Sequence, residues 1–246
     1  MGNLPHLQPA LELDFLETAL LHYEPWRLGN DVLYSLCSER PDHVRDDVII
    51  AKFWLIGRAY AAAIERRKRS LYSDAGEGHP VGDEFYIEKV APRVRSSDID
   101  VWFDELRREG NGVTPTSVRI HKNLTELLHE ISSLNKRSLA SKYLHFHFEH
   151  KFFIYDSRAA YGLSRIATEL RVLRSTQITW EGDREYAKFV SLCQIIRFKC
   201  EEVLGRKITP REIDSILVFW GDVARRSKRR RRIRGLIKLA AGNSPR

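Results

Sequence analysis

The sequence is poor in the residues and runs that mark several protein classes. Its 246 residues include only three cysteines, too few and too scattered for a disulfide framework or a four-cysteine metal or iron–sulfur site. No apolar run approaches the 18 residues of a membrane-spanning helix, and the N-terminus lacks the basic-then-apolar order of a signal peptide. We expect a cytoplasmic protein with reduced cysteines, no transmembrane segment and no cofactor.

Phosphate-binding and metal-binding motifs are missing too. Residues 70–83 hold three glycines and a proline, but no Gly-Lys-Ser/Thr follows and no strand precedes them, so a P-loop is excluded. The three histidines His145, His147 and His150 lie close to Glu149. Their alternate spacing suits a strand better than a helix, and no second set of ligands stands out, so no metal site is predicted.

The net positive charge of the chain comes from its C-terminal residues. The net charge is +8, yet residues 225–246 contain ten Lys or Arg and no acid, which leaves 31 basic and 33 acidic residues in 1–224. A cationic segment of this kind binds polyanions by releasing their counterions. DNA is the favoured partner; RNA, an anionic membrane, an acidic protein surface and a solvated tail remain open. The residues proposed to contact nucleic acid are Arg225, Arg226, Lys228, Arg229, Arg230, Arg231 and Arg232.

Apolar residues recur at helical spacing in nearly every segment between turns, and no alternating strand pattern appears. The content of 43% hydrophobic residues is enough to bury a sizeable core. We therefore predict an all-α domain over 1–224, with a lobe boundary near 70–83 or 110–115, and a basic tail over 225–246.

The helices are delimited by their end signals and by loops. Two acids sit where they would complete capping boxes, Asp100 after Ser97 and Glu212 after Thr209, the second with Pro210 in the first turn. The predicted helices are one over Leu11–Leu20, one capped by Asn30 or Asp31, a long one that follows Pro41-Asp42, runs through Ile64 and ends in ERRKR at 65–69, two at 84–90 and 98–108, one from Pro115 to about Ile131, one over Arg137–Phe148, one from Asp156 to about Leu173, one from about Asp183 to Val203, and a last one from Thr209.

The segment 137–156, RSLASKYLHFHFEHKFFIYD, carries the one specific indication of chemistry. On a helix, Ser138, Lys142 and His145 recur at i, i+4 and i+7 and so share a face. Asp156 follows the apolar run FFIY and begins the next helix. A solvated stripe and a simple N-cap are the structural explanations of these residues.

The order Arg-Ser-x-Ala, a mostly apolar helix, and Lys-Phe-x-Ile-x-Asp, with Asp156 18 positions after Ser138, resembles the helix-hairpin-helix superfamily of DNA base-excision glycosylases, which includes 8-oxoguanine and adenine glycosylases. The likeness covers about 25 residues. It implies a two-lobed helical fold with the active site in the cleft and Asp156 as the shared catalytic carboxylate. Such an anion stabilises the positive charge that develops on the sugar, or activates the attacking water.

Bifunctional members of the superfamily carry a lysine, which forms a Schiff base, where this sequence has Ser138. The resemblance therefore implies a water-using, monofunctional glycosylase, or a member that has lost activity. Lys142 or Lys136 could substitute for that lysine, and Lys142 is favoured as a cation lining the site. The family's Gly-x-Gly hairpin turn corresponds to Leu134, Asn135 and Lys136.

Further residues are weaker candidates. Asn135, Lys136 and Arg137 are proposed to contact nucleic acid at the hairpin. Tyr60, Glu65, Arg66 and His145 are proposed to line a pocket for an extruded base, although core packing and surface ion pairing explain them equally well.

Two functions from different classes follow. The first is an enzyme that excises a modified or mismatched base. The second is a non-catalytic relative that binds nucleic acid or a protein partner, similar to components of bacterial anti-phage systems. The excised base and the oligomeric state are not predicted.

Overall fold

The structure is a computed structural model that describes residues 11–22, 24–65, 83–172 and 182–242, with side chains described as far as 226. Every regular element within these ranges is helical, which confirms the predicted all-α class. None of the described helices is both long enough and apolar enough to cross a membrane.

The helices follow one another in a simple order along the chain. They are α1 (Leu13–Leu21), a 3₁₀ turn (Glu24–Trp26), α2 (Arg27–Glu39), α3 (Asp46–Ala59), α4 (Asp83–Phe85), a π-helical stretch (Tyr86–Val90), α5 (Ala91–Arg95), α6 (Ile99–Arg108), α7 (Pro115–Ser132), α8 (Arg137–His147), α9 (Ser157–Glu169), α10 (Arg184–Leu204) and α11 (Pro210–Gly242).

Several helix starts agree with the end signals in the sequence. The predicted capping box before α11 is confirmed, since the Thr209 amide donates to Glu212 at 2.7 Å and the Glu212 amide donates to the Thr209 hydroxyl at 3.2 Å. Asp156 is the N-cap of α9, as its side chain accepts from two backbone amides. These caps fix the directions in which α9 and α11 leave their loops.

Other helix ends were predicted wrongly. α2 begins at Arg27 rather than at Asn30 or Asp31. α3 ends at Ala59 and does not continue through Ile64 as predicted, because the chain turns at Ala61, which has a φ of 50°. Asp100 forms no capping box, since its carboxylate accepts instead from the backbone and the ring of buried His43.

The helices pack in two groups joined by one apolar core. In the first group α8 packs against α2, α3 and α7, and in the second α9 packs against α10 and α11, with α1 beside them. A continuous cluster of buried apolar residues runs through both groups. The predicted boundary at 110–115 is a loop between α6 and α7, and 70–82 lies outside the described residues.

The closest helix crossing is between α9 and α11. A β-carbon added to Gly162 on α9 would lie 1.8 Å from the backbone oxygen of Leu217 on α11. Only glycine permits this approach, because any side chain would overlap the neighbouring backbone. The crossing brings the start of α9 close to α11.

The basic C-terminal segment continues the last helix. The backbone of α11 remains helical from Pro210 to Gly242, so the first 18 residues of the predicted tail, 225–242, belong to that helix. The division into a domain and a functional tail stays a prediction.

Candidate functional site

The polar stripe of α8 faces inward. The side chain of Lys142 is 1% exposed and His145 is fully buried, while Ser138 at the start of the helix is half-buried. The stripe is therefore not a solvated surface. A buried lysine requires partners, because transferring an unpaired ammonium out of water is strongly unfavourable.

The partners of Lys142 are the two other residues predicted at the site. Its ammonium donates to the Ser138 hydroxyl at 2.8 Å and to Oδ2 of Asp156 at 3.1 Å. The ring of Tyr60 lies 5.8 Å from the same nitrogen. The structure thus brings Ser138, Lys142, Asp156 and Tyr60 together, and their catalytic and pocket roles stay a prediction.

The carboxylate of Asp156 is held by three donors. Its Oδ1 accepts from the amides of Arg158 at 2.8 Å and Ala159 at 2.9 Å, and Lys142 binds the other oxygen. Burial on its own raises the pKa of Asp156, but Lys142 and the two amides outweigh it, so the pKa lies below its ordinary value. The side chain keeps 25% exposure, so the group is an oriented anion that remains reachable.

The segment before Asp156 is clamped to α8. Oγ of buried Ser141 accepts from the Tyr155 amide at 2.9 Å and lies 3.1 Å from the Tyr155 carbonyl oxygen. His145 Nδ1 lies 2.8 Å from the carbonyl oxygen of Phe152. These contacts fix Asp156 against Lys142 even though the two residues lie on different elements.

His145 has a defined tautomer. A carbonyl oxygen can only accept, so Nδ1 carries the proton and Nε2 accepts from the Tyr34 hydroxyl at 2.6 Å. Burial lowers the pKa of His145 to about 3. The residue predicted for a base pocket is therefore a neutral support behind the site.

A second cation lies on the other side of Tyr60. The guanidinium of Arg211, on α11, donates to the Tyr60 hydroxyl, which in turn donates to Asn30 on α2. The same guanidinium lies 5.4 Å from the ring of Tyr60 and 5.6 Å from that of Phe146. Tyr60 therefore connects Lys142 on α8 to Arg211 on α11.

Asp214 completes the group. Its Oδ2 lies 3.3 Å from a terminal nitrogen of Arg211. Burial raises the pKa of Asp214 to about 6, although Arg211 opposes the shift. The pKa values of the two aspartates are thus shifted in opposite directions, that of Asp156 downward and that of Asp214 upward.

We call this set of residues the polar junction, because it lies where the two helix groups meet. Its buried members, Lys142 and His145, stand behind a half-buried layer. That layer consists of Asn30, Tyr34, Tyr60, Ser138, Asp156, Arg211 and Asp214. The arrangement is a partly buried polar cluster with side-chain charge of both signs.

Two residues predicted for the base pocket are not part of this set. Glu65 accepts from the Tyr86 hydroxyl and pairs with Arg58 at 3.0 Å. Arg66 lies outside the described residues. Of the four pocket candidates, the polar junction thus contains Tyr60 and His145.

The predicted hairpin contacts are engaged within the protein. Arg137 pairs with Asp183 at 2.5 Å and with Glu185 at 2.9 Å, and the ammonium of Lys136 donates to the Ala63 carbonyl at 3.0 Å. Asn135 is exposed and its side chain accepts from the Arg137 amide. Ser133 in this turn has a left-handed backbone, with a φ of 55°.

The proposed contacts on α11 are described only in part. Arg225 is exposed, lies 4.8 Å from the Tyr161 ring and faces Asp222 at 3.9 Å. Arg226 is also exposed. The side chains of Lys228, Arg229, Arg230, Arg231 and Arg232 lie outside the described part of the chain.

Sequence reasoning missed Arg211, Asp214, Asn30 and Tyr34. Arg211 and Asp214 stand at i and i+3 in the first turn of α11, where charged residues are common on any exposed helix. Tyr60, which binds Arg211, is 151 positions away, so only the folded chain, which places the first turn of α11 beside the end of α3, reveals the site.

Comparison with protein-family models, curated proteins and solved structures gave no match. Function therefore has to be inferred from the polar junction.

Proposed function

We propose that this protein is a DNA glycosylase-like hydrolase that removes a modified or mismatched base with water, and that Asp156 is the carboxylate that faces the sugar. The observation that carries the proposal is the state of Asp156: ionised, oriented by two amides and Lys142, and 25% exposed. Cleavage of an N-glycosidic bond builds positive charge on the deoxyribose, and a preorganised anion lowers the energy of that state.

The surroundings of Lys142 favour a monofunctional reaction. A Schiff-base nucleophile needs a free amine lone pair, whereas the Lys142 nitrogen donates to Asp156 and Ser138. Ser138 cannot form an imine. In this mechanism Lys142 keeps Asp156 ionised and oriented, and a water molecule attacks the sugar.

A non-catalytic nucleic-acid-binding protein is the second candidate. It is favoured by the fact that both oxygens of Asp156 already have partners in the protein, as expected of a structural N-cap. DNA is the proposed partner in either case, and the cations of α11 supply the attraction.

Asp183 offers a matched control for Asp156. It caps α10 through amides of Glu185 and Tyr186 at 3.0 and 3.1 Å, and its other oxygen binds a cation, Arg137. Asparagine also caps helices well, so Asp156→Asn and Asp183→Asn each remove one charge and keep the cap.

The test is base release under single-turnover conditions from duplexes that carry a panel of damaged and mismatched bases. We expect wild-type protein and Asp183→Asn to release a base, and Asp156→Asn to be slower by about a hundredfold or more, in the range of a lost general base. Borohydride should trap no covalent protein–DNA adduct. If wild-type protein binds DNA but releases no base, the enzymatic proposal is overturned and the non-catalytic nucleic-acid-binding protein remains.

A further inference from the structure

An open apolar groove lies on the first helix group and shares no residue with the polar junction. It runs between α3 and the stretch formed by α4 and the π-helical turn, and its volume is about 400 Å³. Trp54, which is 38% exposed, and Ile87, which is 60% exposed, supply its accessible apolar surface. Large apolar side chains that face solvent together commonly mark a surface for binding another protein. The other described lining residues are Asp47, Ile50, Ala51, Asp83 and Tyr86.

The charged residues of the groove are acids. Among the described residues that line it, only Asp47 and Asp83 carry a charge, and Asp83 is exposed. Asp47 pairs with Arg45 at 2.6 Å, but the two side chains are 66% and 65% exposed, so another cation can replace Arg45 at little cost. An apolar groove edged by carboxylates fits a partner that combines an apolar strip with flanking cations.

One segment of this chain has that composition. Residues 227–242 contain seven Lys or Arg and no acid, and their backbone is helical. Ile233, Leu236 and Ile237 are spaced i, i+3 and i+4, which places these positions on one side of a helix. A helix with an apolar side and cations around it is a common occupant of an apolar groove.

The segment of one copy cannot reach the groove of the same copy. Arg211, near the start of α11, contacts Tyr60 just beyond the end of α3. Trp54 is six positions before Tyr60, about 9 Å along α3, whereas residue 233 is 22 positions after Arg211, about 33 Å along α11. α11 is one continuous helix held against α9 and α1, so its far part does not turn back to α3. A second copy is therefore the source of the segment.

We propose that the groove of one copy binds the C-terminal part of α11 from a second copy. The apolar side at positions 233, 236 and 237 lies against Trp54 and Ile87, and the flanking cations lie beside the two carboxylates. A groove of this size supports a weak and reversible association, in the micromolar range. The inference concerns self-association and does not depend on catalysis by Asp156.

Sedimentation of full-length proteins over a range of concentrations tests this. The groove variant combines Asp83→Asn with Ile87→Lys, both at exposed positions. The tail variant replaces each of Arg229, Arg230, Arg231 and Arg232 by Gln, which keeps helix propensity and removes charge. The control combines Asp98→Asn with Val101→Lys, an exposed acid and a 67% exposed apolar residue at the start of α6, outside the groove.

We expect the mass of wild-type protein and of the control to rise with concentration, and their association to weaken by about tenfold or more when salt is raised to about 0.5 M. The groove variant and the tail variant should each remain monomeric. An equal mixture of the two should associate, because the tail variant keeps an intact groove and the groove variant keeps an intact α11.

Three results would overturn the proposal: a monomeric wild-type protein at every concentration, association of the groove variant equal to that of wild-type protein, or a mixture that stays monomeric. The first result is also the one expected if the groove binds a different partner. Circular dichroism checks that each variant is folded. If the groove variant does not fold, Ile87→Ser, a milder change at the same exposed side chain, takes its place.

Discussion

Replacing Lys142 by methionine should destabilise the protein less than replacing Asp156 by asparagine. Methionine fills the same volume but leaves the Asp156 carboxylate with two amides and 25% solvent access. Asparagine keeps the cap but leaves a 1% exposed ammonium without its ion-pair partner, beside the Ser138 hydroxyl and the Tyr60 ring. Breaking a buried ion pair lowers the stability of the fold mainly because one charge remains buried without a partner.

The magnitudes follow from the geometry of the pair. Two unit charges 3.1 Å apart attract by about 5 kcal/mol at an effective dielectric constant near 20, and the desolvation of each ion offsets much of this. We expect Lys142→Met to lower the free energy of unfolding by about 2 kcal/mol and Asp156→Asn by about 3 kcal/mol. The melting temperature should fall by about 2 to 4 °C for each kcal/mol.

Urea unfolding of the two single variants and the double variant measures the coupling. The double variant leaves no unpaired buried charge, so its loss of unfolding free energy should be about 2 kcal/mol smaller than the sum of the losses in the single variants. The surface pair Lys122–Glu126, 3.7 Å apart with side chains 48% and 61% exposed, is the control and should show little coupling. Additive effects at Lys142 and Asp156, or a larger loss in Lys142→Met, would refute the reasoning.

Three other predictions concern different parts of the chain. Burial raises the pKa of Asp214 to about 6, above its value in the unfolded chain, so ionisation of Asp214 lowers the stability of the fold as pH rises from about 4 to 6. Between pH 4 and pH 7, the free energy of unfolding of Asp214→Asn, measured by urea titration, should therefore rise by about 2 to 3 kcal/mol relative to that of wild-type protein. Gly162→Ala should lower the melting temperature sharply, because the added β-carbon would overlap the α11 backbone. Gly29→Ala on α2, where the β-carbon would meet open space, should raise it. Equal changes in melting temperature for the two variants would contradict this. Deleting 225–246 should weaken DNA binding and flatten its salt dependence, and an unchanged slope in salt titrations would refute the proposed contact.

Local signals predicted much of the fold, and the failures have physical causes. Thr209 and Glu212 form their box because both partners lie within one turn. Asp100 had the same local pattern with Ser97, yet a buried histidine from a distant loop competes for its carboxylate. α3 stops early because the chain turns at Ala61. Just beyond the helix Tyr60 contacts Asn30 and Arg211, and no residue near Tyr60 signals that contact.

In the candidate site too, residues close in sequence were predicted and residues from a distant helix were missed. Ser138, Lys142 and Asp156 lie within 18 positions, and the family resemblance of that segment led to the prediction that they share a site; in the structure they are in contact. Arg211 and Asp214 come from another helix group, and their roles depend on how α11 crosses α9 at Gly162. Short-range spacing carries no information about such a crossing.

The unbroken course of α11 has a geometric consequence. Asp214 and Arg232 lie on one continuous helix, and at 1.5 Å per residue they are about 27 Å apart along its axis. A duplex held by the far cations would thus be anchored about eight base pairs from the junction. Adding or removing a single residue between these positions would rotate one end by about 100° around the helix axis relative to the other. The length of α11 therefore sets both the distance and the relative direction of Asp214 and Arg232.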